Sequence, residues 1–293
     1  MRVTQGMLTE AFIRTLSQNL KRLGKKQDML ASGKKVRLPS DDPVSATLAM
    51  RLRDTLYSIE QYTKNVEDAI TWLKSTEIAL ANTGEILQRI RELTVYAANG
   101  TLTAQDRQMV LDEVTQLKLQ LLQEANSSHN KKYLFNGYRT DQAPFYIDTD
   151  GKIKPSVTTS ETVEYNIGRS NSIQVNVMGV DVFTDIFQTV ESIEQDLQGN
   201  DSTSLSGRLD ELDKAIDTVL KYRSQIGARI NRLEITKTKL EYNNIDYTEL
   251  LSRTEDVDVA KLIMDLKMEE NVYRASLAVG ARIIQPTLVD FLR

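Results

Sequence analysis

One histidine, His129, and no cysteine stand in a chain of 293 residues, so the side chains that most often hold metals or act as nucleophiles are nearly missing. Those counts exclude a histidine-based metal cluster, a thiolate site and a disulfide framework. General-base chemistry would rest on His129 near a helix end, where a capping or surface role suits it better. Asp41 and Asp42 could be offered as paired carboxylates. Adjacent residues do not share a helix face, and Pro43 behind them makes capping the better reading. Glu269 and Glu270 read as a solvated face with one position intruding on an apolar row. No G-x-x-x-x-G-K-[ST] or G-x-G-x-x-G loop is present to cradle a phosphate. Asn99, Asn126 and Asn200 open N-x-[ST] triplets, a pattern too short to carry weight, and Trp72 beside a heptad position reads as core. The expectation is a protein that is not an enzyme, with no catalytic, cofactor-binding or metal residues.

Charge gives the first positive signal. The net charge is -4, which argues against a polyelectrolyte binder. Residues 1–40 nevertheless hold nine Lys/Arg against two Asp/Glu, a local balance of +7, and residues 254–293 hold five against seven, a balance of -2. Oppositely charged ends favour pairing with each other over self-pairing. A basic end could also meet nucleic acid or an anionic membrane. Aromatic interleaving is absent and the leucines form a narrow row, so neither is expected. No apolar run approaches the roughly 20 residues that span a bilayer, and the N-terminus lacks the apolar core of a cleaved secretory signal.

Both ends read as amphipathic helices with a seven-residue repeat. Ile13, Leu16, Leu20, Leu23 and Leu30 follow a 3-4 spacing, interrupted at Gln27. Val259, Ile263, Leu266, Tyr273, Leu277 and Ile284 do the same, interrupted at Glu270 and Gly280. Residues three and four apart share one face, so each end carries an apolar seam that needs a partner in water. The other terminal helix, or a copy from a neighbouring subunit, is the obvious one. These eleven residues are the expected assembly interface.

Between the ends, 40% hydrophobic content with 6% aromatics is lean for one compact globule, and 27% charged residues suits long solvent-washed helices. Gly33 should stop the first helix. Asp42 should cap the next, with Pro43 at its first position. Leu52, Ile59, Val66, Leu73, Leu80 and Leu87 recur every seven residues, with Leu48, Tyr62, Ala69 and Ile90 as companions. At 1.5 Å per residue this predicts a rod of roughly 70 Å. Asn99-Gly100 makes a turn, and Thr103 with Asp106 reads as a capping box for an antiparallel helix. Residues 141–183 alternate and carry turn signals, Asp150-Gly151 above all, which predicts a small exposed β-rich insert. Helix returns near Asp185, and a second rod carries Leu212, Val219, Ile226, Leu233, Leu240 and Tyr247. Its companions Leu209, Ile216, Ile230 and Leu251 are interrupted by Arg223, Lys237 and Asn244. The fold class expected is mainly α: an elongated α-helical bundle with terminal coiled-coil helices and a small β-rich insert. The domains expected are an assembly domain at 1–40 and 255–293, a helical bundle at 41–140 and 185–254, and the insert at 141–184.

Several stretches resemble the bacterial flagellin superfamily. Leu30-Ala31-Ser32-Gly33-Lys34 followed by Pro39-Ser40-Asp41-Asp42-Pro43 is similar to its N-terminal signature. Leu87 to Leu93, continuing to Ala97-Ala98-Asn99-Gly100-Thr101, resembles its core helix and turn. Tyr133-Leu134-Phe135-Asn136-Gly137 with Thr140 to Phe145 looks closer to the hook-associated branch that forms the hook–filament junction. Ala281 to Pro286 and Phe291-Leu292-Arg293 resemble the superfamily's C-termini. The resemblance covers residues 1–145 and the last forty or so. It implies an axial structural protein of the bacterial flagellum, exported unfolded by the flagellar type III apparatus and placed outside the cell. Implied partners are flagellin, another hook-associated junction protein, further copies in a ring, and an export chaperone through the C-terminal helix. It implies no cofactor, no nucleic acid and no membrane insertion. The rival readings are flagellin itself, as bulk filament subunit, and a secreted coiled-coil effector acting on membranes.

Overall fold

The computed structural model describes residues 5–99, 102–148, 151–157, 161–199 and 202–283. The chain is mainly helical. In order it forms α1 (Gln5–Ser32), α2 (Pro43–Ala97), α3 (Ala104–Ala125), β1 (Ser128–His129), β2 (Lys132–Tyr133), β3 (Phe145–Ile147), β4 (Ile153–Pro155), β5 (Glu164–Gly168), β6 (Asn171–Gln174), α4 (Gly179–Gln198), α5 (Ser202–Glu255) and α6 (Val259–Ile283). Two compact units divide it: Met1–Tyr57 with Asn244–Arg293, and Ser58–Asn243. Among the described residues, no helix is long and apolar enough to cross a membrane.

Within Ser58–Asn243, the heptad residues of the two long helices form the core. Val66, Leu73, Leu80 and Leu87 of α2 are fully buried, as are Leu212, Ile226 and Leu233 of α5. The companion row differs from expectation. Thr76 and Thr83 are fully buried beside Ala69 and Ile90, and each threonine hydroxyl donates to the carbonyl four residues back, Trp72 at 3.0 Å and Ala79 at 2.8 Å. A hydroxyl satisfied inside its own helix can be buried at little cost. The expected interruptions of α5 are cross-helix partners: Arg223 meets Glu77 and Lys237 meets Glu67, each at 2.8 Å, with Arg91–Asp213 at 2.6 Å further along. Partner numbers fall on α2 as they rise on α5, so the helices run antiparallel. Half-exposed pairs of this kind contribute about 0–1 kcal/mol each, so they set register more than stability.

Helix α3 starts on the expected capping box: the Asp106 N–H donates to Thr103 Oγ1 at 3.3 Å, and the Thr103 N–H to Asp106 Oδ2 at 3.2 Å. It returns along α2, tied by Arg89–Glu113 at 2.8 Å and by Asn82 donating to Glu124 at 3.1 Å.

The β-rich region needs two corrections. A hairpin, β1–β2, precedes the expected insert and turns through Asn130 (φ 49) and Lys131 (φ 64). Helix α4 begins at Gly179 and not near Asp185. Val182, Phe183, Ile186, Phe187 and Val190 are buried at helical spacing, and the alternating Val175 and Val177 just before them mask that change of period. The expected hairpin is present as β3–β4, with Gly151 at φ 73 in its turn, and β5 pairs antiparallel with β6. This region holds its own aromatic core. Phe183 packs edge-on to Phe135 and Phe145, centroids 5.0 and 5.9 Å away, and Phe145 packs on Phe187 at 5.2 Å. Gly179 permits it, because a methyl there would stand 2.9 Å from the Phe145 ring and 3.1 Å from the Phe135 carbonyl.

Candidate assembly surface

Helix α1 ends as expected: Gly33 takes φ 68, open to glycine and strained for other residues, and its N–H donates to the Met29 carbonyl at 2.9 Å. A connector leads to α2, where Asp42 Oδ1 accepts the N–H groups of Val44 and Ser45 at 3.1 and 3.2 Å. The Ser45 hydroxyl is the main cause holding the Asp42 carboxyl below its ordinary range, followed by the Ser45 N–H. Asp41 is held low chiefly by Lys25, 3.0 Å away, and then by the Leu38 N–H. Both aspartates are therefore capping and bridging groups.

Helices α1 and α6 lie antiparallel against each other. Lys26 meets Asp265 at 2.7 Å, Arg22 meets Glu269 at 3.6 Å, and Asn19 donates to the Ser276 hydroxyl at 3.2 Å. At the far end Phe12 lies over Gly280, where a built methyl would overlap the ring. The basic end thus pairs with the acidic end by specific contacts.

The facing rows are turned by one residue from the expected seams. Leu16 and Leu23 are half-buried, as expected, but their companions are Phe12, Asn19 and Lys26 in place of Ile13, Leu20 and Gln27. On α6, Leu266 is buried and Tyr273 half-buried, with Leu262, Glu269, Ser276 and Gly280 alongside, in place of Ile263, Glu270 and Leu277. Ile13, Leu20, Leu30, Val259, Ile263 and Leu277 are exposed, at 37% to 56% of their surface. Ile284 lies outside the described residues. Gly280, read as an interruption, is the socket for Phe12. Of the polar interruptions, Gln27 is exposed and Glu270 is half-buried. On α2, Leu48 is exposed too, and Ala46 and Ala49 face inward instead.

Sequence reasoning passed over Glu255. Its carboxylate, 6% exposed, sits between Lys34 Nζ at 2.7 Å and Arg53 Nη2. Its carbonyl accepts the Lys35 N–H at 2.6 Å, and the Val257 N–H donates to the Gly33 carbonyl at 3.1 Å. One buried acid therefore clamps the connectors of both terminal helices to the start of α2. Three residues distant in sequence make it, and no local pattern announces such a set.

Helix α1 also exposes Met7 and Leu8 besides Ile13, Leu20 and Leu30, and helix α6 exposes Met264, Met268, Val272 and Val279 besides Val259, Ile263 and Leu277. Apolar side chains left outside the facing row in this number mark a surface for packing. Such a surface offers no reaction chemistry. What it can do is pack against further helices.

The chain matches the family models for the bacterial flagellin N-terminal helical region, over residues 3–140, and the bacterial flagellin C-terminal helical region, over residues 209–292. The flagellar hook-associated protein 3 of Escherichia coli (strain K12) is 26% identical to it, over 94% of this chain and 95% of its own length. The flagellin of Bacillus subtilis (strain 168) is also 26% identical, over 97% of each chain. The flagellar junction protein of Legionella pneumophila has the same fold: TM-score 0.59 at 19% identity, covering 73% of this chain and 100% of that one.

Proposed function

Because the chain belongs to the bacterial flagellin family, we propose that it is the axial subunit joining the hook-associated proteins to the flagellin filament. The observation that carries this reading is the exposed apolar surface of the paired terminal helices, Ile13 and Leu20 on α1 with Val259, Ile263 and Leu277 on α6. Each helix already has one row occupied within the chain. The second row is free for neighbouring subunits, and burying it drives association. Partners are flagellin on one side, another hook-associated protein on the other, and further copies in a ring. The subunit works outside the cell. It reaches its place through the flagellar type III apparatus, with a chaperone holding the C-terminal helix before export.

The resemblance of the stretch Tyr133–Phe145 to the hook-associated branch supports the junction over the bulk filament. It is folded as a unit: Leu134, Phe135 and Asn136 are buried, and Asn136 Nδ2 donates to the carbonyls of Arg139 and Gln142 at 3.0 Å each.

Deletion tests the reading. Cells without this chain should complete their hooks, lack filaments and release flagellin monomer to the medium. Normal filaments in the deletion strain would sink it. Copy number separates the rival, since a junction ring needs few subunits per flagellum and a bulk filament needs thousands.

A further inference from the structure

The end of α1 and the connector to α2 wall a cleft of about 440 Å³. Met29 and the exposed Leu38 give it an apolar lining, and Gly24 opens one side because nothing lies within 4 Å of where its Cβ would be. Its rim is cationic. Asp28 and Asp41 line it as well: Asp41 engages Lys25, Glu255 engages Lys34 and Lys35 acts on Asp42, while Lys21, Lys35 and Arg37 are exposed. Exposed cations in excess of acids beside apolar side chains fit an occupant with apolar side chains and carboxylates at close spacing.

The chain carries such a surface itself, near the C-terminal end of α5. Ile245 and Leu250 are 63% and 43% exposed there, and Asp246 and Glu249 beside them are exposed too. Spacings of four place Ile245 with Glu249 and Asp246 with Leu250, two neighbouring rows of the helix surface. Residues 241–250 contain three acids and no Lys or Arg. Glu249 touches Arg253 at 2.5 Å, but both are mostly exposed and that pair is readily exchanged.

We propose that the cleft receives this surface from a second copy of the chain, with Ile245 and Leu250 on Met29 and Leu38 and the two acids opposite Lys21, Lys35 and Arg37. The contact is head-to-tail, because the two surfaces differ. Repetition of such a contact closes a ring or continues a helix, which suits a subunit laid down as a layer. The inference rests on the assembly reading above and adds which surfaces meet.

The native chain contains no cysteine, so introduced thiols report without background. Cells lacking the native gene would co-produce an Arg37→Cys copy and an Asp246→Cys copy carrying different tags. Isolated flagella should yield an oxidation-dependent dimer containing both tags, lost when either cysteine is omitted. Motile cells without that dimer would overturn the proposal. Should the paired copies fail to support motility, charge exchange decides. Lys21→Glu with Arg37→Glu, or Asp246→Lys with Glu249→Lys, should cut filament number at least about tenfold, since like charges then face each other. All four changes in one chain should restore it. No loss from either pair, or no restoration by the four, overturns the proposal. Normal filaments in the deletion strain would instead defeat the assembly reading, so the two failures are distinct.

Discussion

Replacing Glu255 by alanine should open the clamp locally and leave the long helices intact. The carboxylate accepts from Lys34 Nζ at 2.7 Å and from Arg53 Nη2. A hydrogen bond to a charged group contributes about 1.5–3 kcal/mol, so the pair sets a ceiling of about 3–6 kcal/mol. Breaking a fully buried ion pair costs about 3–5 kcal/mol because a bare charge stays behind. Here Lys34 and Arg53 are 38% and 52% exposed, and water replaces the lost partner. Fully exposed pairs are worth about 0–1 kcal/mol. The mixed case falls between, at about 1.5–3 kcal/mol. Amide hydrogen exchange reads it directly at Lys35 and Val257, whose N–H groups donate to the Glu255 and Gly33 carbonyls. With tenfold per 1.4 kcal/mol, their exchange should quicken about 10- to 150-fold, while the Ile226 amide in the α5 core stays unchanged. Glu255→Gln keeps an acceptor and should give a smaller change. A shift under about threefold at both amides would show that the buried acid does not hold the connectors.

Three further outcomes follow from the paired terminal helices. Gly280→Ala should gain about 1 kcal/mol in helix propensity, yet its methyl overlaps the Phe12 ring; exchange in α1 should therefore rise, and Phe12→Ala in the same chain should reverse it. Unchanged protection in the single variant would remove the Phe12 socket. The Asp265 carboxyl is held below its ordinary range, chiefly by its hydrogen bond to Lys26. A depressed carboxyl stabilises the fold above its unfolded pKa, and that contribution disappears as pH falls through the lower folded value. NMR titration should find Asp265 low and Lys26→Met should return it to normal; an ordinary value in the native chain contradicts the contact. Leu277→Asp should block incorporation into flagella with no change in monomer exchange, because the side chain is 44% exposed. Leu266→Asp, at a site 8% exposed, should disrupt the α1–α6 pairing itself. Equal effects of the two on the monomer would mean that the rows are not distinct.

Much of the fold was legible because its signals are local. Heptads gave both long helices, Asp42-Pro43 and Thr103–Asp106 gave helix starts, and Gly33 and Gly151 gave a stop and a turn. What was not legible depends on distant partners. Thr76 and Thr83 look polar until their hydroxyls are seen to bond within the helix. The start of α4 hides behind Val175 and Val177, which continue an alternating pattern up to the change of period. Glu255 is one acid among many until Lys34 and Arg53 converge on it.

The one-residue turn of the terminal seams has a different origin, and it bears on function. Leu16, Leu23, Leu266 and Tyr273 belong to both possible rows, so spacing cannot choose between neighbours such as Asn19 and Leu20. Hydropathy favours Leu20 inside. The chain places Asn19 there instead, 4% exposed and bonded to Ser276, and leaves Leu20 52% exposed. Phe12 over Gly280 fixes that register, since a side chain at 280 would not admit the ring. A subunit selected only for stability by itself would bury the leucine and expose the asparagine, because buried apolar area contributes about 25 cal/mol per Å². Exposing Ile13, Leu20, Ile263 and Leu277 while burying Asn19 and half-burying Glu269 and Ser276 in the facing row forgoes that gain in the single chain. The gain is recovered when other helices cover the outer row. The expected seam and the observed one are thus two rows of the same helices, one closed within the subunit and one kept for its neighbours.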